Sequence, residues 1–288
     1  MLYRQRAILS LIREAGGRAS RLAVTKWAFL LREESPSRGG SSFYEFLPYK
    51  YGPFSFCLYQ EASALARHGL LNERDEHWEL TDTGRAAADG VRTNVHTAIR
   101  RVWRTNAKKS NTALVNYVYE RYPDFTVNSE IRRLRYRELA DVAVYTAGYE
   151  GLLVDGFLNG LIANGILRLI DVRNNPVSRR YGFHKTTLRR LCHNVGIEYV
   201  HFPELGIKSS DRQDIDHPGA RAALFDDYSA STLVEQGEAI DRVAALVNDS
   251  PSVLVCIEAC PSQCHRSRLA MPVAEIAGLP IHHLEFAA

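Results

Sequence analysis

Apolar residues recur at helical spacing early in the chain and fall into short unbroken runs later. "LYRQRAILSLIREAG" places Leu2, Ile8, Leu9, Leu11 and Ile12 at that spacing and stops at Gly16-Gly17, which predicts a first helix. "SRLAVTKWAFLLREE" repeats the pattern behind Ser20, whose hydroxyl suits an N-cap. After the loop "SPSRGGSS", the stretch "YGPFSFCLYQEASALARHGLL" predicts a third helix. "NERDEHWELTDTGRAAA" then reads as a turn, a short strand and a return into helix. From "DVAVYTAGYEG" onward the pattern changes. Strands are predicted in that stretch and in "ILRLIDVRNNP", "IEYVHFPELG", "SVLVCIE" and "IHHLEF". Helices are predicted in "LVDGFLNGLIANG", "KTTLRRLCHNVG", "STLVEQGEAIDRVAALVND" and "CHRSRLAMPVAEIAG". Alternating strands and helices imply an α/β fold, a mostly parallel sheet with flanking helices and right-handed crossovers.

The early order of elements resembles a winged helix, with "HGLLNERDEHWELTDTGR" as its wing, and "YKYGPFSFCLYQEASAL" is similar to Panacea-type antitoxin modules. The expected organisation is a mainly helical winged-helix-like domain over residues 1–90, a basic helical connector over 91–138 and an α/β domain over 139–288. At 288 residues, 45% hydrophobic and 24% charged, the chain has ample material for folded cores. The net charge of +3 is mild but uneven. From Val91 to Ala140, eleven arginines and lysines face four carboxylates. Arg100, Arg101, Arg104, Lys108 and Lys109 are therefore candidates for contact with a nucleic-acid backbone, and DNA is the expected partner. A solvated linker face is the alternative. "MLYRQRAILSLIREAG" mixes charges through its apolar positions, unlike a signal peptide, and no apolar run is long enough to span a bilayer. Five cysteines, three of them within nine positions, do not form a secreted disulfide pattern. The expectation is a cytoplasmic protein with no membrane partner.

Parallel sheets bind ligands beyond the carboxyl ends of their strands. Three predicted strand ends turn abruptly polar. The first carries Thr146, Gly148, Tyr149 and Glu150, the second Asp171, Arg173, Asn174 and Ser178. The third carries Glu258, then Cys264, His265 and Arg266. Following Asp171, "SRRYGFHKTTLRR" interleaves Arg180 and Lys185 with Tyr181 and Phe183, pairing cations for phosphates with aromatics for an unpaired base.

"TAGYEG", "LIDVRNNPVS", "YGF", "GIEYVHFPELG" and "VCIEACPSQCHRSRLA" resemble the domain-of-unknown-function family 488 over roughly Val142 to Leu284. The resemblance implies an α/β fold and a site. Two positions depart from it: Gly206-Ile207 stands where a double glycine is usual, and Cys260 where an acidic or polar residue is usual.

For the reaction, Asp171 and Glu258 on separate strands suggest a carboxylate pair acting on a cationic sugar, with His265 as a further catalytic residue and no cofactor or metal. Asp171 is expected to matter most. A magnesium-dependent nuclease is the near alternative. Cys260 to Arg266 fits the Cys-x5-Arg loop of cysteine-dependent phosphatases, with a rhodanese-like carrier as its relative. Cys256-x3-Cys260-x3-Cys264 is read against a metal site, since Cys256 falls inside a buried strand. The resulting expectation is a DNA-acting hydrolase of glycosylase type, an activity suited to defence against foreign DNA. A non-catalytic DNA-binding regulator is the alternative of a different class.

Overall fold

The computed structural model describes residues 1–212 and 218–286. Two compact units divide the chain, Met1–Tyr136 and Arg137–Ala288.

The first unit opens with α1 (Tyr3–Glu14), β1 (Arg18–Ser20) and α2 (Arg21–Glu34). The Ser20 hydroxyl accepts from the Ala23 amide at 3.1 Å and caps α2. A hairpin of β2 (Leu47–Tyr49) and β3 (Gly52–Phe54) precedes α3 (Phe56–Arg67). The helix expected from Tyr51 therefore starts five residues later. Gly52 adopts φ +83°, Pro53 has no amide hydrogen to donate, and Ser55 caps the helix through the Leu58 amide. β4 (Leu71–Arg74) and β5 (His77–Leu80) form the hairpin where a wing was expected, joined by Asp75 and Glu76, both at positive φ. Together with β1 these strands form a three-stranded antiparallel sheet in the order β1-β5-β4, and β2–β3 is a separate two-stranded sheet. α4 (Asp82–Ala87) follows.

Helices α5 (Thr93–Asn106) and α6 (Asn111–Arg121), expected within a connector, belong to this unit. α5 lies against α1 and α2, burying Val95, Ile99 and Val102. Residues 127–143 contain no helix or strand.

The second unit runs β6 (Val144–Gly148), α7 (Val154–Ala163), β7 (Arg168–Asp171), α8 (Lys185–Asn194) and β8 (Glu198–His201). α9 (Pro218–Ala230), α10 (Thr232–Glu235) and α11 (Gly237–Asp249) follow, then β9 (Ser252–Cys256), α12 (His265–Ala277) and β10 (Ile281–Leu284). The five strands pair in parallel in the order β10-β6-β9-β7-β8. Every residue of the central strand β9 is buried, as a strand covered on both faces must be. Leu254, Ile170 and Val144 join Val243 and Val247 of α11 and Leu269 and Val273 of α12 in one apolar core. The connection out of β9 leads toward one edge of the sheet and that out of β7 toward the other. Their adjacent carboxyl ends form a topological switch point, where such sheets place ligands. Among the described residues, no helix is long and apolar enough to cross a membrane.

Candidate functional site

Two clusters of polar side chains stand at the carboxyl ends of β7 and β9. In the first, Asp171 is 0% exposed. Its Oδ1 accepts from the Arg173 amide at 3.1 Å and from Arg173 Nε at 2.8 Å. Its Oδ2 accepts from an Arg173 terminal nitrogen at 2.5 Å and from the Tyr199 hydroxyl at 2.6 Å. The other Arg173 terminal nitrogen donates to the Tyr149 hydroxyl and the Phe183 carbonyl. Burial on its own would lower the Arg173 pKa; the hydrogen bonds and charge of Asp171 outweigh it and leave the pKa raised. Burial, reinforced by the Asp171 charge, also raises the Tyr199 phenol.

This cluster braces the fold. Asp171, expected to lead the chemistry, is fully buried with both oxygens hydrogen-bonded to Arg173 or Tyr199. Phe183, expected as a stacking platform, is buried and lies on the Tyr149 ring with centroids 4.0 Å apart and planes 10° from parallel. Thr146 is also buried, its hydroxyl paired with His283 Nδ1 at 2.7 Å on the neighbouring strand. Ser178 caps its own turn through the Arg180 amide, while Arg180 bonds the Leu152 carbonyl and lies over the Phe183 ring. Tyr181 and Lys185 are half-buried near this turn.

The second cluster gathers the β9–α12 loop. Cys256 and Glu258 are two residues apart at the strand end, and Cys256 Sγ lies 3.3 Å from a Glu258 carboxylate oxygen. Cys264 and His265 begin α12. His265 Nδ1 lies 3.7 Å from Cys256 Sγ and 4.0 Å from Cys264 Sγ, and its Nε2 is 3.1 Å from the Val172 carbonyl at the end of β7. A carbonyl can only accept, so Nε2 carries a proton, and in the neutral imidazole Nδ1 is then the acceptor nitrogen that faces the sulfurs. Tyr228 of α9 packs edge-on against the imidazole. Burial pushes the Cys264 thiol well above its usual pKa, Cys256 adds to the rise, and His265 opposes it.

The loop is held in place from two sides. The buried Arg266 donates to the carbonyls of Glu258, at 2.5 Å, and Ala259, at 2.9 Å. Gly148 lies so close that a Cβ there would meet the Glu258 carbonyl oxygen at 1.9 Å. The Tyr149 and Glu150 amides donate to the Ile257 carbonyl, and the Glu150 carboxylate accepts from the Ala259 amide.

This geometry lends no support to the phosphatase reading. Arg266 spends its terminal nitrogens on loop carbonyls, and Cys260 is exposed with its sulfur against the Ser262 hydroxyl. That contact lowers the Cys260 pKa, with a small contribution from Arg266.

Glu258 is half-buried and borders a cavity of about 40 Å³ with Arg221, Gln263, Cys264 and His265. Phe225 also lines this cavity and a neighbouring groove of about 610 Å³, whose walls include Cys260, Ser262, Arg268, Met271 and His283. Sequence reasoning missed α9, which supplies Arg221, Phe225 and Tyr228, and it took Cys256 for a plain apolar residue. The spacing Cys256-x-Glu258 was the available signal, because alternate strand residues share a face.

Residues 153–272 match the family described as Domain of unknown function DUF488. The match lies wholly within the second unit. The match spans Asp171, Glu258, Cys264, His265 and Arg266, and it is shorter than the stretch over which the sequence resemblance was traced. No curated protein and no solved structure matches the chain.

In the first unit, Arg100, Arg104 and Lys108 are exposed. Arg100 Nε lies 3.8 Å from Glu14, Arg101 lines a cavity that also holds Glu33 and Glu34, and Lys109 lies over the Tyr117 ring. The turn between β4 and β5 carries Asp75 and Glu76, and Arg100, Arg101 and Arg104 lie on α5.

Proposed function

We propose that this protein is a hydrolase acting on DNA, cleaving the bond between base and sugar of an extruded nucleotide, with Glu258 as its working carboxylate. The position of Glu258 carries the reading: half-buried at the end of the central strand, at the switch point, and on a cavity shared with His265 and Arg221. A sugar that becomes cationic in the transition state is stabilised by one nearby carboxylate, and the same group can take a proton from the attacking water. The cavity of about 40 Å³ has room for that water, and the groove of about 610 Å³ beside it has room for a nucleoside. Arg268 on the groove wall and Arg221 at the cavity are cations for phosphate oxygens. The winged-helix order and the basic residues of α5 support DNA as the polymer. Asp171 takes no chemical part in this reading.

The test is to incubate the purified full chain with duplex and single-stranded DNAs bearing ordinary and modified bases. Free base is measured by mass spectrometry and strand breaks by gel, before and after alkali. Free base with breaks appearing after alkali is the expected result. Direct breaks without free base would make the enzyme a nuclease, and neither product on any DNA would remove the reading.

A further inference from the structure

We propose that Cys256, Cys264 and His265 form a zinc site in which the two sulfurs and the imidazole Nδ1 are the protein ligands. All three are buried, and their potential ligand atoms lie within 4.8 Å of one another. On a tetrahedral zinc, with Zn–S of about 2.3 Å and Zn–N of about 2.0 Å, ligand atoms stand roughly 3.5–3.8 Å apart. For a sulfur–nitrogen pair the value is the lower end, about 3.5 Å; the Cys256–His265 separation of 3.7 Å is close to it, and the Cys264–His265 separation of 4.0 Å needs a small inward shift.

The imidazole is already in the required form. Its Nε2 proton is fixed by the Val172 carbonyl, the outer partner that metal-bound histidines usually have, and Nδ1 faces the sulfurs. Cys256 closes β9, His265 opens α12 and Cys264 is the residue just before that helix, so all three are anchored at the ends of regular elements. Two thiolates with one imidazole suit zinc over magnesium or calcium, which prefer oxygen. The Glu258 carboxylate lies 3.3 Å from Cys256 Sγ and borders the cavity that Cys264 and His265 also line. The fourth position is therefore suited to a water within reach of Glu258, the open arrangement that distinguishes catalytic zinc sites from closed structural ones.

This inference is independent of the reading of function, since metal content can be measured without any substrate. The full chain, produced in zinc-supplemented medium and purified without chelators, is analysed for metals. The stripped protein is then titrated with cobalt and followed by absorption. About one zinc per chain is expected, together with a thiolate-to-cobalt charge-transfer band and the strong red-region bands of tetrahedral cobalt. Cys256→Ser and Cys264→Ser should lose the metal, His265→Cys should retain it with an altered spectrum, and Cys260→Ser should match the parent. If a ligand variant fails to fold, the wild-type stoichiometry and cobalt spectrum decide the matter alone. Absence of stoichiometric zinc and of the charge-transfer band would overturn the site, as would a Cys256–Cys264 disulfide in the native protein. Zinc in a protein inert on DNA would leave this site standing and remove the reading of function; base release by protein that is isolated without zinc and gives no cobalt charge-transfer band would do the reverse.

Discussion

Asp171 and Glu258 look equivalent in the sequence, each an acid where an apolar strand ends, and their surroundings separate them. Asp171 is closed around Arg173 and Tyr199, whereas Glu258 reaches a cavity. Removing one partner of a buried pair leaves the other charge uncompensated, at a cost of about 3–5 kcal/mol. Asp171→Asn should therefore lower stability by that amount in urea unfolding, and a change below about 1 kcal/mol would show that the pair does not brace the fold. Lys26 offers a second test at this scale. Its ammonium is buried with one hydrogen bond, to the Pro53 carbonyl at 2.9 Å, and burial lowers its pKa from 10.5 to about 7. Between those values the unfolded chain holds a proton that the folded one lacks, so this residue makes stability rise with pH, by up to roughly 1.4 kcal/mol per unit. Below pH 7 its penalty is complete. The stability difference between Lys26→Met and the parent should be largest near pH 6–7 and shrink toward pH 10; a pH-independent difference would contradict the burial of a neutral amine.

Among the elements, the parallel α/β order was legible because strands buried on both faces read as short apolar runs and each is followed by a helical pattern. The third helix of the first unit was placed too early because Pro53 and Gly52, which end a hairpin, precede a capping serine. The long helix expected over Ser231–Asp249 is divided, with α10 ending at Glu235 and α11 starting at Gly237, a residue that weakens helices. α9 escaped because the apolar residues of "PGARAALFDDYSA" form no sustained stripe, so periodicity had little to detect. α5 was read correctly as basic and helical, but Val95, Ile99 and Val102 tie it to α1 and α2 rather than leaving it as a connector. If α5 meets DNA, replacing Arg100, Arg101 and Arg104 together with alanine should weaken binding about equally for all sequences. It should also reduce the slope of log affinity against log salt by up to about three, since each phosphate that is no longer neutralised takes away close to one. An unchanged slope would move DNA binding elsewhere.

Across the whole molecule, the three strand ends singled out in the sequence do converge at one end of one sheet, but they divide the work. Those of β6 and β7 build the frame, through Gly148, Tyr149, Asp171 and Arg173, and that of β9 carries the groups that face a cavity. This division was not legible, because one-dimensional spacing shows which residues reach a strand end and not which carboxylate an arginine will neutralise. The partnership of Cys256 with Cys264 and His265 was hidden for a related reason: a cysteine within an apolar run looks the same whether it packs as a hydrophobe or faces an imidazole.

The most direct test of the account compares turnover of Glu258→Gln and Asp171→Asn on one DNA substrate under single-turnover conditions. Fold is monitored by circular dichroism and DNA affinity is measured in parallel. Glu258→Gln should keep both the fold and DNA affinity and lose about a hundredfold or more in rate, the scale of acid–base or electrostatic assistance. Asp171→Asn should lose stability, while its folded fraction turns over within a few-fold of the parent rate. Full activity in Glu258→Gln, or a hundredfold loss confined to well-folded Asp171→Asn, would contradict the placement of the chemistry at the end of β9.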